Sequence, residues 1–161
     1  IQQTSKELVS LLGFPVVEAP AAAEAQAAAM AQNGDVEYVL SDDYDALLFG
    51  SPLTIRQFSG DGPAELLRLD QTLQDQQLTR AQLVDIALMC GTDYNDGIHG
   101  VGPKRGLNYI TDVGDIHTAI QEYDLDSSLT EQEIEELRSV FLDHPTTLEP
   151  QVTVNRLESL L

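Results

Sequence analysis

Val36-Glu37-Tyr38-Val39-Leu40-Ser41-Asp42-Asp43-Tyr44-Asp45-Ala46-Leu47-Leu48 passes from an apolar run through three carboxylates into a short helical pattern. A short apolar run stopped by polar turn formers reads as a buried strand, here Val36 to Leu40. Asp42, Asp43 and Asp45 then stand at its C-terminal end. In α/β sheets the crevice beyond the strand C-termini is where ligands bind. Helical patterns on both sides of this strand predict an α/β fold.

Upstream, the alanine-rich stretch Ala21 to Gln32 has high helix propensity and stops at Asn33-Gly34, a C-terminal helix signal. Phe14-Pro15-Val16-Val17 reads as a short buried strand, and Ser5 to Leu12 as a helix. The chain opens at Ile1, without methionine, directly in that helical pattern, and so reads as part of a longer protein. Downstream, Leu53 to Phe58 and Glu65 to Leu69 flank the turn formers Ser59-Gly60-Asp61-Gly62-Pro63, which predicts a hairpin. Thr79 with Gln82 forms a capping-box signature. In the helix it starts, Leu83, Ile86, Ala87 and Cys90 fall at helical spacing as the expected buried face. Gly91 ends that helix and presents Thr92-Asp93-Tyr94 at a helix-to-loop junction. Further helices are expected around His117 to Tyr123 and from Thr130, whose capping box is completed by Glu133, to Asp143.

Composition bounds the partners. The 161 residues, 42% of them hydrophobic, suffice for one cored domain. No apolar run reaches the length of a membrane span and no export signal is present, so a cytoplasmic protein without membrane attachment is expected. The single cysteine, Cys90, lies in an apolar helical pattern and reads as a packed thiol. Against 27 acidic residues stand 8 basic ones, for a net charge of −19. Such a surface repels a polyanion over about 10 Å at 0.1 M salt but over only about 3 Å at 1 M. Acidity with almost no lysine suits a protein dissolved in concentrated salt, so it leaves nucleic acid open as a partner.

Two constellations carry chemistry. Glu24, Asp43, Asp45 and Asp93 each sit at the end of an element. Carboxylates suit hard cations such as Mg²⁺, and two such ions about 4 Å apart can activate a water and stabilise a leaving oxygen in phosphodiester cleavage. A D-x-D after a strand also serves phosphatases, with Asp43 as nucleophile. The second constellation is Gly97-Ile98-His99-Gly100-Val101-Gly102-Pro103-Lys104-Arg105, a glycine-rich turn with proline at the expected first helical position. The N–H groups of Gly100, Val101 and Gly102 could bind phosphate there, with charge from Lys104 and Arg105. Such contacts position a duplex without reading its sequence. His99 reads as a solvated loop residue, His117 and His144 lack metal-ligand spacing, and Tyr94 reads as a packing residue.

Taken together, Glu18-Ala19-Pro20, Glu24-Ala25-Gln26-Ala27, Asp43 through Pro52, Gly91-Thr92-Asp93-Tyr94 and the turn through Arg105 resemble the flap endonuclease family, over roughly Ser5 to Asn155. The acidic surface adds a halophilic archaeon as the expected source. The resemblance implies a PIN-like 5′-nuclease core, here residues 1–93, packed as one unit with a helix-hairpin-helix DNA-binding region, residues 94–161. It implies a structure-specific 5′-flap endonuclease and 5′–3′ exonuclease of replication and repair, working with two Mg²⁺ or Mn²⁺ ions on branched or flapped duplex DNA. Asp43, Asp45 and Asp93 match the family's metal-site aspartates, and Glu24 the second glutamate of a Glu-x-Glu pair. The hairpin matches the duplex-binding turn, whose carbonyls can hold K⁺. Three departures stand beside it. Ala22 replaces the first glutamate of the pair; the family's remaining aspartates and helical arch lie upstream of Ile1, so this chain alone is expected to be inactive; and Gln151 to Leu161 lacks the paired aromatics of a sliding-clamp peptide. An impaired relative that binds branched DNA without cutting it is the alternative that Ala22 motivates.

Overall fold

The structure, a computed structural model, describes residues 2–57, 62–147 and the backbone of 152–153. Its elements are α1 (Gln2–Leu11), β1 (Val16–Val17), α2 (Ala23–Asn33), β2 (Val39–Leu40), α3 (Asp45–Leu48), β3 (Leu53–Arg56), β4 (Glu65–Arg68), α4 (Leu69–Gln76), α5 (Arg80–Cys90), α6 (Pro103–Val113), α7 (Ile116–Glu122), α8 (Glu131–Leu142) and β5 (Val152–Thr153).

The capping boxes form as read: Thr79 and Gln82 open α5, Thr130 and Glu133 open α8, each with both reciprocal bonds. Gly34 ends α2 in the left-handed region. The hairpin forms as β3 against β4, antiparallel with Leu53 opposite Arg68, although Phe58 and the turn residues 59–61 lie outside the described residues. β2 joins the other side of β3 in parallel, giving the order β2-β3-β4.

Three expectations change. The strand read at Phe14 to Val17 shrinks to Val16–Val17, which pairs antiparallel with β5, and Phe14 is 61% exposed. The strand read at Val36 to Leu40 shrinks to Val39–Leu40. Only Val39 of it is buried, because nothing among the described residues covers the face of Tyr38 and Leu40. In α5 the buried residues are Val84, Asp85, Ile86, Leu88 and Met89. Of the expected face Ile86 is buried, while Leu83, Ala87 and Cys90 are half-buried and line an open groove. Helix α5 is packed on most sides, so apolar spacing alone does not pick its most buried stripe.

Around α5 the core gathers Leu48 and Phe49 from the end of α3, Ile110 from α6, Ile116 from α7 and Ile134 and Phe141 from α8. One carboxylate is buried among them: Asp85 is 1% exposed. Arg138 meets it with two bonds, and the Ile116 N–H adds a third. A buried charge is tolerated only when paired and hydrogen-bonded in this way.

Candidate metal centre and nucleic-acid interface

Parallel pairing of β2 with β3 sets where the acidic loop emerges. Arg56, at the end of β3, donates through Nε and Nη2 to the Asp42 carbonyl at 3.0 and 2.7 Å. Its guanidinium also lies 3.5 Å over the Tyr44 ring and pairs with Glu65. Within the loop, Ser41 Oγ accepts from the Asp43 amide and the Asp43 carboxylate accepts from the Asp45 amide, which starts α3. Sequence reading missed Arg56; its one signal was being among only 8 basic residues.

Asp93 arrives from the other direction. Thr92 and Asn95 form a bridge across a tight turn, and Asn95 Nδ2 donates to the Leu88 carbonyl at 2.7 Å. Gly97 closes the turn with φ +76°, and a Cβ there would stand 2.5 Å from the Gly91 nitrogen. Only glycine fits that approach, so the turn that carries Asp93 is pressed onto the end of α5.

These two loops bring one oxygen each from Asp43, Asp45 and Asp93 within 4.8 Å of one another, Asp45 half-buried and the other two exposed. Glu24 stands outside this set of three, on the first turn of α2. It is near enough for its charge to be felt: burial first, then Asp43, Asp93 and Glu24, push the Asp45 carboxyl up from 3.8 to about 6. Burial first, then the charges of Asp45, Asp93 and Glu24, also raise the Tyr94 hydroxyl. Among the described residues no lysine or arginine pairs with the three aspartates. The donors are all oxygen, which suits a hard cation, and oxygens on opposite sides of Mg²⁺ lie about 4.2 Å apart. The fit needs only slight closure.

Beside the aspartates runs the half-buried face of α5, with Leu83, Ala87 and Cys90 lining an opening of about 760 Å³. Burial pushes the Cys90 thiol up, which agrees with a packed cysteine. Tyr94 packs edge-on against Phe141, with ring centroids 5.4 Å apart.

The glycine-rich hairpin joins α5 to α6, with Pro103 in the first turn of α6. Gly100 takes φ +75°. The Val101 amide donates to Ile98 at 2.9 Å and its side chain is buried, so this one of the three expected amide donors is spent inside the hairpin. The Arg105 guanidinium is likewise engaged, donating to the Gly100 carbonyl at 2.8 Å and to the Tyr109 hydroxyl at 2.9 Å. Lys104 is exposed and makes no such bond among the described residues.

The sequence profile described as the XPG I-region matches residues 13–93, half of the chain. The flap endonuclease 1 of Haloquadratum walsbyi is 49% identical over 149 residues, spanning 92% of this chain and 44% of that protein. The solved flap endonuclease-1 from Methanococcus jannaschii superimposes with a TM-score of 0.81 at 35% identity, over 92% of this chain and 45% of that one. A Holliday junction-resolving enzyme GEN1, solved with product DNA, Mg²⁺ and Mn²⁺ ions, matches with a TM-score of 0.71 at 28% identity, over 93% of this chain and 44% of that one. The chain therefore spans about half the length of the relatives it matches. These likenesses account for the PIN-like α/β core and its appended helical hairpin, and the acidic composition accords with relatives from halophilic archaea. With the XPG I-region running through the very loop that carries Asp43 and Asp45 and on to Asp93, the chain belongs to the flap endonuclease family.

Proposed function

We propose that this chain supplies the metal-binding and duplex-binding half of a structure-specific 5′-flap nuclease that cuts branched DNA by hydrolysis. The observation that carries the reading is the convergence of Asp43, Asp45 and Asp93 at one point without a basic partner among the described residues. Residues 1–93 bring the carboxylates, and residues 94–161 the hairpin.

Asp43, Asp45 and Asp93 would hold divalent ions directly, with Glu24 reached through water or by a second ion. Two bound Mg²⁺ or Mn²⁺ ions would supply an activated water and stabilise the leaving oxygen. The residues' own work is to fix that site in place: Arg56 pins the acidic loop, and the Thr92–Asn95 turn pins Asp93. At the hairpin, Lys104 and the amides of Gly100 and Gly102, unpaired among the described residues, meet phosphate, while Arg105 braces the turn. K⁺ binding at the hairpin carbonyls would have to displace Arg105 from Gly100. A cytoplasmic site of action follows from the substrate, and among the described residues no helix is long and apolar enough to cross a membrane. Clamp binding is not part of this reading: Gln151 to Leu161 lacks the paired aromatics of a clamp-binding peptide, and that tail, apart from the backbone of 152–153, lies outside the described residues.

Ala22 favours a second reading, a relative that binds branched DNA without cutting it. The phosphatase alternative loses ground, because the profile match and the relatives place the chain among flap endonucleases. The test joins the preceding segment of the Haloquadratum relative to this chain and incubates the product with a fluorescent 5′-flap duplex, Mg²⁺ and molar KCl. Cleavage at the flap base, lost in Asp43→Asn, is the expected result, while this chain alone leaves the flap whole. Tight binding without cleavage by the joined protein would favour the second reading, and hydrolysis of small phosphate esters would revive the phosphatase.

A further inference from the structure

Helix α2 starts without a side-chain cap of its own. Its N-cap is Ala22, and the third helical position, where a capping box places Glu or Gln, is Ala25. Helices α5 and α8 both carry the full box, whereas α2, like α3 and α6, has no side-chain cap. The missing acceptor comes from 122 residues away: the Ala22 N–H donates to His144 Nε2 at 3.2 Å. The other ring nitrogen, Nδ1, lies 2.8 Å from the Val140 carbonyl. A carbonyl only accepts and a backbone amide only donates, so both bonds hold together when Nδ1 carries the proton and Nε2 offers its lone pair.

One turn further on, Gln26 is 2% exposed. Its Oε1 accepts from the Thr147 N–H and its Nε2 donates to the Thr147 carbonyl, both at 2.9 Å. The side-chain amide thus pairs with the backbone as a strand neighbour would. The His144 ring also stands edge-on to Phe49, with centroids 5.0 Å apart, and Phe49 meets Phe141 at 5.1 Å. Between these two attachments lies Glu24, the only acidic residue in the first turn of α2.

We propose that the segment following α8 is a clamp on the start of α2, in which His144 and Gln26 act as positioning residues that hold Glu24 at the metal centre. A capping bond to the N-cap amide fixes where the first turn begins, and the Gln26 pair fixes its rotation. A carboxylate between two fixed points is presented to the aspartates without paying for its own ordering. Only this consequence for Glu24 rests on the metal-centre reading; the clamp itself does not.

The test measures amide hydrogen exchange and Mn²⁺ binding on the same chain in molar KCl for the parent, His144→Phe and His144→Gln. His144→Phe keeps a ring against Phe49 and removes both polar atoms; His144→Gln returns an acceptor near the position of Nε2. In His144→Phe the Ala22 amide should exchange about five- to tenfold faster, the worth of one hydrogen bond, with α5 and α6 amides unchanged. Mn²⁺ affinity should fall about tenfold, as for loss of a group that orients a ligand. His144→Gln should recover most of both. Unchanged exchange at Ala22, or faster exchange spread evenly through α5 and α6, overturns the clamp. Local loosening with unchanged Mn²⁺ affinity overturns its role at Glu24. If the parent binds no Mn²⁺, the metal-centre reading and the Glu24 role fail together, and the exchange arm still decides the clamp.

Discussion

Arg138 reaches from α8 to hold the Asp85 carboxylate of α5 in a two-pronged pair, Nε to Oδ1 at 2.7 Å and Nη2 to Oδ2 at 2.6 Å. Asp85 also accepts from the first amide of α7, so one buried carboxylate ties three helices. Removing one partner from such a pair leaves an uncompensated buried charge. Arg138→Ala should therefore cost about 3–5 kcal/mol in urea unfolding. Because the pair is sheltered from solvent, the loss should persist in molar KCl, unlike that of the exposed Lys6–Glu18 pair. A cost near zero for Arg138→Ala in molar salt would mean the pair contributes nothing to the packing of these helices.

The raised Asp45 carboxyl makes metal binding depend on pH. Its value of about 6 lies above the ordinary 3.8, so the folded chain holds this proton more tightly than the unfolded one. Without a cation the group favours folding below pH 3.8, and that contribution is lost as pH rises through about 6. A divalent ion competes with the same proton, so Mn²⁺ affinity should climb between about pH 5 and pH 7 and then level. Titration calorimetry across that range checks it, and Asp45→Asn should bind more weakly with a flatter profile.

Ala22 stands two residues before Glu24 at the start of α2. In the joined protein described above, Ala22→Glu should raise initial cleavage rates most at low Mg²⁺ and less as Mg²⁺ saturates. A gain of about tenfold or more is expected at the low end, since even an outer partner of a metal ligand is worth about 10–100-fold. Asp43→Ala should abolish the gain. Superimposable Mg²⁺ curves for parent and variant would show that position 22 does not serve the metal.

Lys104 and Arg105 are adjacent in sequence but should separate in a salt titration of duplex binding. Lys104→Ala removes a free charge and should reduce the log–log slope by about 0.9, one phosphate contact. Arg105→Ala frees the Gly100 carbonyl and the Tyr109 hydroxyl, so it should weaken binding by loosening the hairpin, with a smaller change in slope. Neither should alter Mn²⁺ affinity. Equal slope changes for the two would show that Arg105 leaves its internal partners for the DNA.

Local signals survived into the structure wherever a few neighbouring residues suffice. Thr79 with Gln82, Thr130 with Glu133, Gly34 and Pro103 each act within one turn of backbone, and each stands where its chemistry placed it. The strands fared worse because pairing partners decide their length. Val36 to Leu40 is apolar apart from Glu37, yet only Val39 and Leu40 find β3, and β1 depends on β5 far along the chain. Helix α4 carried no signal strong enough to be read at all.

Sequence alone determined which carboxylates stand at element ends, and that a glycine-rich hairpin with two basic residues follows the helix ended by Gly91. Those are properties of spacing and of residue type. Tertiary structure decided that Asp43, Asp45 and Asp93 converge while Glu24 stands apart, and that His144 caps a helix 122 residues away. Convergence of this kind depends on how β2 pairs with β3 and how α8 crosses α5. Long-range packing sets those geometries, and no local pattern of residues encodes them.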